Sequence, residues 1–263
     1  MKILLTGYKG FIGSHMLNAL SDHEVTTYEW NETLPSVEGH DWVIHMGANS
    51  STTERNIEKI MFQNFDFSVW LLNECIENGV NLQYSSSASV YGMRSENFRE
   101  DQPVDPRNPY AWTKYLFERY VRNIDPKGIR IQGFRYFNVY GSGEDHKEGQ
   151  ASPHHTFTKQ AKETGVIRLF ENSENYKRDF VPVELVIDYH KKFFDVMESG
   201  VWNIGTGKPV SFEEVARNIA EKYGAKIEYI PMPEKLRDSY QAYTCADMTK
   251  TLSSLKYIEN KRN

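Results

Sequence analysis

The chain opens on Lys2-Ile3-Leu4-Leu5-Thr6, an apolar run that stops at Gly7 and leads into Gly7-Tyr8-Lys9-Gly10-Phe11-Ile12-Gly13. A short apolar run closed by glycine reads as a strand buried on both faces, as parallel strands are. Ile12, Met16, Leu17 and Leu20 then recur at helical spacing. Strand, glycine turn and helix in that order form the setting that a dinucleotide-binding fingerprint requires. The glycines allow a tight turn and bring backbone N–H groups at the helix start close to a pyrophosphate. The spacing is GxxGxxG, looser than the usual GxGxxG, and a lone glycine loop would otherwise read as an ordinary turn. Its place directly after a buried strand favours the ligand reading.

The next elements fit a parallel sheet with a shortened first half. Glu24 to Glu29 reads as a second strand ending in an acid, sixteen residues after Gly13. A carboxylate roughly 20 residues on would bond the ribose hydroxyls of a dinucleotide, although a surface Glu at a strand end is the plain alternative. No Lys or Arg lies between Asn31 and Trp42 to hold a 2′-phosphate, which tilts the cofactor towards NAD over NADP. Asp41 to Ala48 reads as another buried strand, and only eleven residues separate it from Glu29, too few for a helix, strand and helix. Its small pair Gly47-Ala48 would let backbone approach a cofactor. His45 reads as a strand residue with a satisfied ring, not a ligand.

Asn64 to Glu77 has helical periodicity and ends at Asn78-Gly79, a plausible cap. Val80 to Tyr84 is strand-like and runs into Ser85-Ser86-Ser87-Ala88-Ser89-Val90-Tyr91-Gly92. Serines at the carboxyl end of a parallel strand face the crevice where ligands bind in such sheets. After a polar loop (Phe98 to Pro109), a helix runs from Tyr110 to about Asn123. It places Tyr110 and Lys114 on one face, about 5–6 Å apart. An ammonium that close would lower the Tyr pKa from about 10 and suit it to act as a general base. Tyr-xxx-Lys alone is a weak signal, equally read as a core Tyr beside a solvated Lys. With Ser87 at the strand end and a glycine loop, the pair can converge beside a nicotinamide ring.

These strings resemble the extended short-chain dehydrogenase/reductases acting on nucleotide sugars. The likeness rests on GxxGxxG at Gly7 to Gly13, SSSASVYG at Ser85 to Gly92 and YAWTK at Tyr110 to Lys114. HMGANSSTTE (His45 to Glu54), GFRYFNVYG (Gly133 to Gly141), His146-Lys147, LFENSENYKRDFV (Leu169 to Val181) and YQAYTCADMT (Tyr240 to Thr249) are similar to the ADP-L-glycero-D-manno-heptose 6-epimerases of that family. The likeness runs over nearly the whole chain.

The resemblance implies an α/β, Rossmann-like doubly wound parallel sheet with a small C-terminal substrate-binding lobe. Residues 1–141 would form the NAD(P)-binding domain, with a strand returning near 180–204, and residues 142–263 mainly the lobe. It implies Tyr110 as base, Lys114 tuning it, Ser87 bonding the reacting oxygen, and Lys147 as a second base. Gly7, Gly10, Phe11, Ile12, Gly13, Glu29, Trp30, Gly47, Ala48 and Val139 fall at cofactor positions. Ser50, Asn138, Phe170, Glu171, Asn172, Ser173, Arg178 and Tyr240 fall at substrate positions, where an Arg fork suits a diphosphate. The implied reaction is epimerisation by transient oxidation and reduction with tightly bound NADP or NAD, on a nucleotide-diphosphate sugar. The family suggests NADP, whereas Glu29 and the missing basic residues lean to NAD. Gln63 stands where the family has Asn, although Asn64 follows, and the family's substrate His is replaced near Thr156, beside His155. A 4-epimerase or reductase of the same superfamily is the nearest alternative; a 4,6-dehydratase is disfavoured because Ala88-Ser89 replaces an Asp-Glu pair. A non-catalytic NAD(P)-binding sensor is the rival of another class, against which the chain keeps Ser87, Tyr110 and Lys114.

In the second half, Ile129 to Phe134, Val166 to Phe170 and Val201 to Ile204 are strand-like, and Asp188 to Glu198 and Phe212 to Tyr223 have helical spacing. Ser211-Phe212-Glu213-Glu214 is a capping-box signature, so its acids are helix-start residues. Asn203 to Gly207 is glycine-rich but lacks the Lys-Ser/Thr of a Walker loop. A formal charge of −5 and a pI near 5.9 give no reason to expect nucleic acid or an anionic membrane as partner. Cys75 and Cys245, in no metal-ligand spacing, read as reduced packed thiols. No stretch reaches the 18 or so apolar residues of a membrane span. These features predict a cytoplasmic protein, and the family a homo-oligomer.

Overall fold

The computed structural model describes residues 1–30, 32–96, 98–234 and 240–262. Its centre is a six-stranded parallel sheet made of β1 (Lys2–Thr6), β2 (Glu24–Tyr28), β3 (Trp42–His45), β4 (Asn81–Ser87), β5 (Ile131–Tyr136) and, after four short strands, β10 (Gly200–Ile204), in the order β10-β5-β4-β3-β1-β2. β1 pairs with β2 on one side (Leu4 against Thr26) and β3 on the other (Leu4 against Val43). Among the described residues the connection from β2 to β3 carries no helix or strand, so the shortened first half is observed, and the strand order leaves β2 at the sheet edge.

Side chains alternate across each strand, and the sheet buries both faces. Ile3, Leu5 and Ile44 pack with Met16 and Leu20 of the α1 (Phe11–Ala19) segment and with Ile187. Leu4, Val43, Leu82 and Tyr84 pack against the opposite helices, α3 (Phe67–Asn78) and α4 (Pro109–Asn123). α2 (Ile57–Met61) runs into α3 through a π-helical turn, Phe62–Asp66. α3 stops at Gly79, whose φ of +69° is the left-handed conformation of a helix C-terminus. Pro109 starts α4, and the Asn108 side chain accepts from Ala111 N at 2.9 Å, a cap that contributes about 1 kcal/mol.

The lobe joins α5 (Pro153–Thr164), β7 (Val166–Phe170), α7 (Phe212–Tyr223) and β12 (Lys226–Ile230) around Phe157, Ile167, Leu169, Val215 and Ile219. β12 pairs parallel with β7. Short ladders join β6 (Asn138–Tyr140) to β9 (Phe180–Pro182) and β8 (Lys177–Arg178) to β11 (Val210–Ser211). α6 (Val183–Phe193) then packs beside α1, and α8 (Thr249–Arg262) lies along β10, where Trp202 donates to Ser254 Oγ at 3.1 Å. The sequence places α6 at Asp188 to Glu198; it begins five residues earlier, after Pro182, because Val183, Val186, Ile187, His190 and Phe193 supply its buried stripe. Cys75 and Cys245 are free thiols.

Candidate active site

The glycine loop is built for close approach. Gly7 has φ +74°, and a Cβ there would meet Gly47 N at 2.4 Å. A Cβ on Gly13 would fall 2.0 Å from Gly7 O, so only glycine lets α1 sit this close to the turn. α1 starts from Gly10 without a side-chain cap, which leaves its first-turn N–H groups open. Gly7, Gly10, Phe11, Ile12 and Gly13 line a cleft of about 760 Å³ together with Ala48, Ser50, Tyr110, Lys114 and Lys147. Open amides at a helix N-terminus, on one wall of a cleft of this volume, fit a pyrophosphate.

At the end of β2, Glu29 accepts from Lys9 N at 3.4 Å and from Trp30 N at 3.1 Å, so its carboxylate lies beside the loop. Glu32 joins it, accepting from Lys9 Nζ at 2.7 Å and Tyr8 at 3.0 Å. Trp30 rests among Tyr28, Phe62 and Phe67. Gly47 serves through its backbone against Gly7, and Val139 packs on the core beneath the cleft. His45 is held by Thr6 Oγ1 at 2.7 Å and Ser68 Oγ at 2.9 Å, the satisfied ring the sequence suggests.

On α4, Tyr110, Lys114 and Glu118 follow one another at i, i+4 and i+8. Glu118 is fully buried and fastens this face to the sheet: Arg135 Nε reaches it at 2.9 Å and Ser86 Oγ at 2.5 Å. Lys114 Nζ donates to the Ser85 carbonyl at 2.9 Å. Burial lowers the Lys114 pKa to about 8, with Glu118 opposing. The expected depression of the Tyr110 pKa by Lys114 is not what the protein alone displays. Burial pushes the phenol up, and the group that opposes this is Ser87, through a hydrogen bond. Ser87 also accepts from Ser89 N at 3.2 Å, starting the short turn Ala88–Tyr91. With its pKa at about 8, Lys114 keeps most of its charge near neutral pH, but it is not among the groups that act on the Tyr110 phenol in the protein alone.

Lys147 enters from the other side of the sheet. Its Nζ lies 4.2 Å from the centre of the Phe11 ring and 3.6 Å from Glu144. Burial lowers its pKa and Glu144 opposes that shift. The Glu144 carboxylate is itself fully buried, accepting from Gly141 N at 3.1 Å and from Ser152 N and Oγ at 2.7 Å each. This one acid therefore folds the loop that carries Lys147.

A second cavity, of about 460 Å³, lies in the lobe and is lined by Phe170, Ser173, Tyr176, Phe212 and Tyr240 with Thr156 and Gln160. The chain passes from the first to the second between Gln150 and Ala151. Arg178 stands with its guanidinium 5.4 Å from the Phe212 ring and 5.5 Å from Tyr240. It donates to the carbonyls of Lys177 and Gln241, and burial pulls its pKa down to about 10. No carboxylate pairs with it among the described residues. A buried cation so placed favours an anionic ligand. Asn138 accepts from Thr244 Oγ1 at 3.4 Å, Asn172 takes a left-handed φ of 60°, and Glu171 is exposed after β7; these three line neither cavity, and neither do Ser87, Glu29, Trp30, Gly47, Val139 and Arg178.

Asn64 lies within the π turn. A π-helical turn takes up an extra residue, and Asn64 is consequently buried. Its Oδ1 accepts from Asn49 N at 2.7 Å and its Nδ2 donates to Thr113 Oγ1 at 3.1 Å, beside Tyr110. Gln63 takes the outer place, accepting from Asn49 Nδ2 at 3.2 Å. Sequence reasoning missed Glu144, Tyr136 and His190. A lone acid in a polar loop and a histidine mid-helix carry no spacing signal that marks them.

A family model described as NAD dependent epimerase/dehydratase family matches residues 24–205. Among solved structures, the Helicobacter pylori ADP-L-glycero-D-manno-heptose-6-epimerase is 27% identical with a TM-score of 0.85, over 97% of this chain and 90% of that one. The Thermus thermophilus UDP-glucose 4-epimerase, solved with NAD, is 26% identical with a TM-score of 0.81, over 96% and 92%. The Methanobrevibacter ruminantium UDP-N-acetylglucosamine 4-epimerase is 22% identical with a TM-score of 0.87, over 99% and 96%, and shares the fold.

Proposed function

The chain belongs to the NAD dependent epimerase/dehydratase family, and on that premise we propose that it epimerises a nucleotide-activated sugar, as an ADP-glycero-manno-heptose 6-epimerase. The observation that carries this reading is that Tyr110, from α4 on one face of the sheet, and Lys147, above α1 on the other, line the same cleft. Two proton-carrying groups on different sides suit a centre whose hydrogen leaves one face and returns to the other.

The bound nicotinamide would supply reversible hydride acceptance, so oxidation is undone in the same cycle and no net redox change results. The glycine loop and the open first turn of α1 hold the pyrophosphate, and Glu29 takes the ribose hydroxyls. Tyr110 removes the hydroxyl proton as a carbonyl forms, with Ser87 bonding the reacting oxygen. Lys114 supplies positive charge beside the phenol. Lys147 delivers or takes the proton at the other orientation of the sugar. In the lobe, Arg178 takes the diphosphate, while Phe170, Phe212 and Tyr240 enclose the nucleotide. Glu32 is ion-paired with Lys9, which leaves the Glu29 carboxylate to repel a 2′-phosphate and supports NAD over NADP. Exposed Phe62, Trp70 and Trp112 on the outer helices fit a homo-oligomer.

The Lys147–Glu144 pair favours one alternative: if Lys147 only braces its loop, Tyr110 works alone and the enzyme is a 4-epimerase. The 26% identity to a UDP-glucose 4-epimerase fits that alternative as well. Denaturing the purified protein tests the shared premise. Released NAD is expected; release of no nicotinamide, with failure to bind NAD or NADP afterwards, would contradict it.

A further inference from the structure

Beneath the cleft a chain of buried hydrogen bonds runs from the sheet into α6. Tyr136 lines the cleft, and its hydroxyl lies 2.5 Å from His190 Nε2 and 3.1 Å from Ser85 Oγ. His190 Nδ1 lies 2.8 Å from Gln83 Oε1. Gln83 Nε2 reaches Gln132 Oε1 at 3.0 Å and the His190 carbonyl at 3.1 Å. Gln132 Nε2 reaches the carbonyls of Phe193 at 3.1 Å and Val196 at 2.9 Å. Gln83, Gln132 and His190 are fully buried.

The polarity of this chain has one solution. Carbonyl oxygens only accept, so the Gln132 amide nitrogen faces Phe193 and Val196, and its oxygen faces Gln83. Gln83 then donates to Gln132 and to the His190 carbonyl, and its own oxygen must accept from His190 Nδ1–H. Burial keeps His190 neutral, with its pKa lowered to about 3, so Nε2 carries no proton. The Tyr136 O–H therefore donates into His190, Ser85 Oγ–H donates to one lone pair of its oxygen, and the other lone pair is left for the cleft. Reversing any link would leave a buried polar group facing its like, at a cost of about 1–3 kcal/mol.

We propose that His190, acting through Tyr136, is a positioning residue for the cofactor: it holds the Tyr136 oxygen as an acceptor for the carboxamide N–H₂ of the nicotinamide. The inference rests on the reading of this cleft as a nicotinamide site. The carboxamide nitrogen is the only hydrogen-bond donor on that ring system. Tyr136 projects from the strand position paired with Ser87, so an acceptor stands on the cleft floor next to the Tyr110 group. An acceptor there selects the flip of the carboxamide that turns its N–H₂ towards Tyr136.

Binding of NAD and of 3-acetylpyridine adenine dinucleotide, whose methyl ketone lacks the N–H₂, measures this contact on protein stripped of dinucleotide. The wild-type protein should prefer NAD by about 5- to 10-fold, the value of one neutral hydrogen bond. Tyr136→Phe should bind the two within about 2-fold. His190→Leu frees the Tyr136 O–H to donate, and should abolish or invert the preference. The ratio on one preparation is insensitive to a general loss of affinity, so a merely structural role would not move it. A wild-type protein that binds both equally, or a Tyr136→Phe protein that keeps the wild-type ratio, overturns the inference while leaving the cofactor site intact. Failure of the wild-type protein to bind either one overturns the cofactor reading and this inference with it.

Discussion

Lys114 donates to the Ser85 carbonyl at 2.9 Å while its Nζ stays 5.8 Å from the centre of the Tyr110 ring. The ammonium is therefore anchored to the sheet rather than to the phenol. Burial raises the pKa of Tyr110 and lowers that of Lys114 to about 8, so each loses some of the charge that chemistry would use. The positive charge of an oxidised nicotinamide bound in the cleft would add a second cation near Tyr110 and favour its phenolate.

Tyr110→Phe removes the proton-accepting oxygen and nothing else. Turnover should fall by at least about 10³-fold, within the range for losing a general base, while circular dichroism and NAD affinity stay near wild type. Near-wild-type turnover would refute Tyr110 as the base.

Lys147→Met keeps the side-chain length and its packing on Phe11 but removes the charge. Epimerisation should drop by about 10²-fold or more, read by following product formation at saturating sugar. Glu144→Gln should have a smaller effect on rate but lower thermal stability, because the carboxylate holds Gly141 and Ser152. Full activity of Lys147→Met would assign the chain to the single-base alternative.

Dinucleotide choice follows from Glu29. NAD should bind at least about 10-fold more tightly than NADP, since like charges at a few ångströms cost over 1 kcal/mol even in solvent-rich surroundings. The variant Glu29→Ala should narrow that gap, measured by titration of both dinucleotides. A wild-type preference for NADP would contradict the placement of this carboxylate at the ribose.

Two buried neutral histidines set an acid limit. His45 and His190 each have a pKa near 3 in the fold, because burial disfavours their charged form. In the unfolded chain each titrates near 6.5, so it takes up a proton there that the fold refuses. Their stability contribution is full above pH 6.5 and is lost as pH falls towards 3. Urea unfolding should show about 1.2 kcal/mol lost for each histidine between pH 6 and 5. A His45→Gln variant should be less stable at pH 7 yet have a flatter slope.

Much of this site was legible in the sequence because its signals are local. The glycine loop, the Asn78-Gly79 stop and the Tyr110–Lys114 spacing each depend on neighbours within a few residues, and each forms as read. The start of α6 was misjudged because Pro182 sets it, while the pattern from Asp188 onwards has comparable periodicity. The π turn at 62–66 breaks the helical period within a few residues and so left no regular signal in the sequence. Glu144 and the Tyr136–His190 chain were invisible because their partners come from elements 8 to 107 residues away. Hydrogen-bond closure across such distances leaves no periodic trace. The direction of the Tyr110 shift was misread for a related reason: spacing reports proximity, but burial is a property of the whole fold.

The central claim is tested most directly by incubating the holoprotein with ADP-D-glycero-D-manno-heptose and following the C6 configuration by NMR, with UDP- and GDP-sugars alongside. The account predicts conversion of the ADP-heptose to its C6 epimer without accumulation of reduced cofactor, and none with the Tyr110→Phe protein. Unchanged ADP-heptose together with 4-epimerisation of a UDP- or GDP-sugar would contradict it.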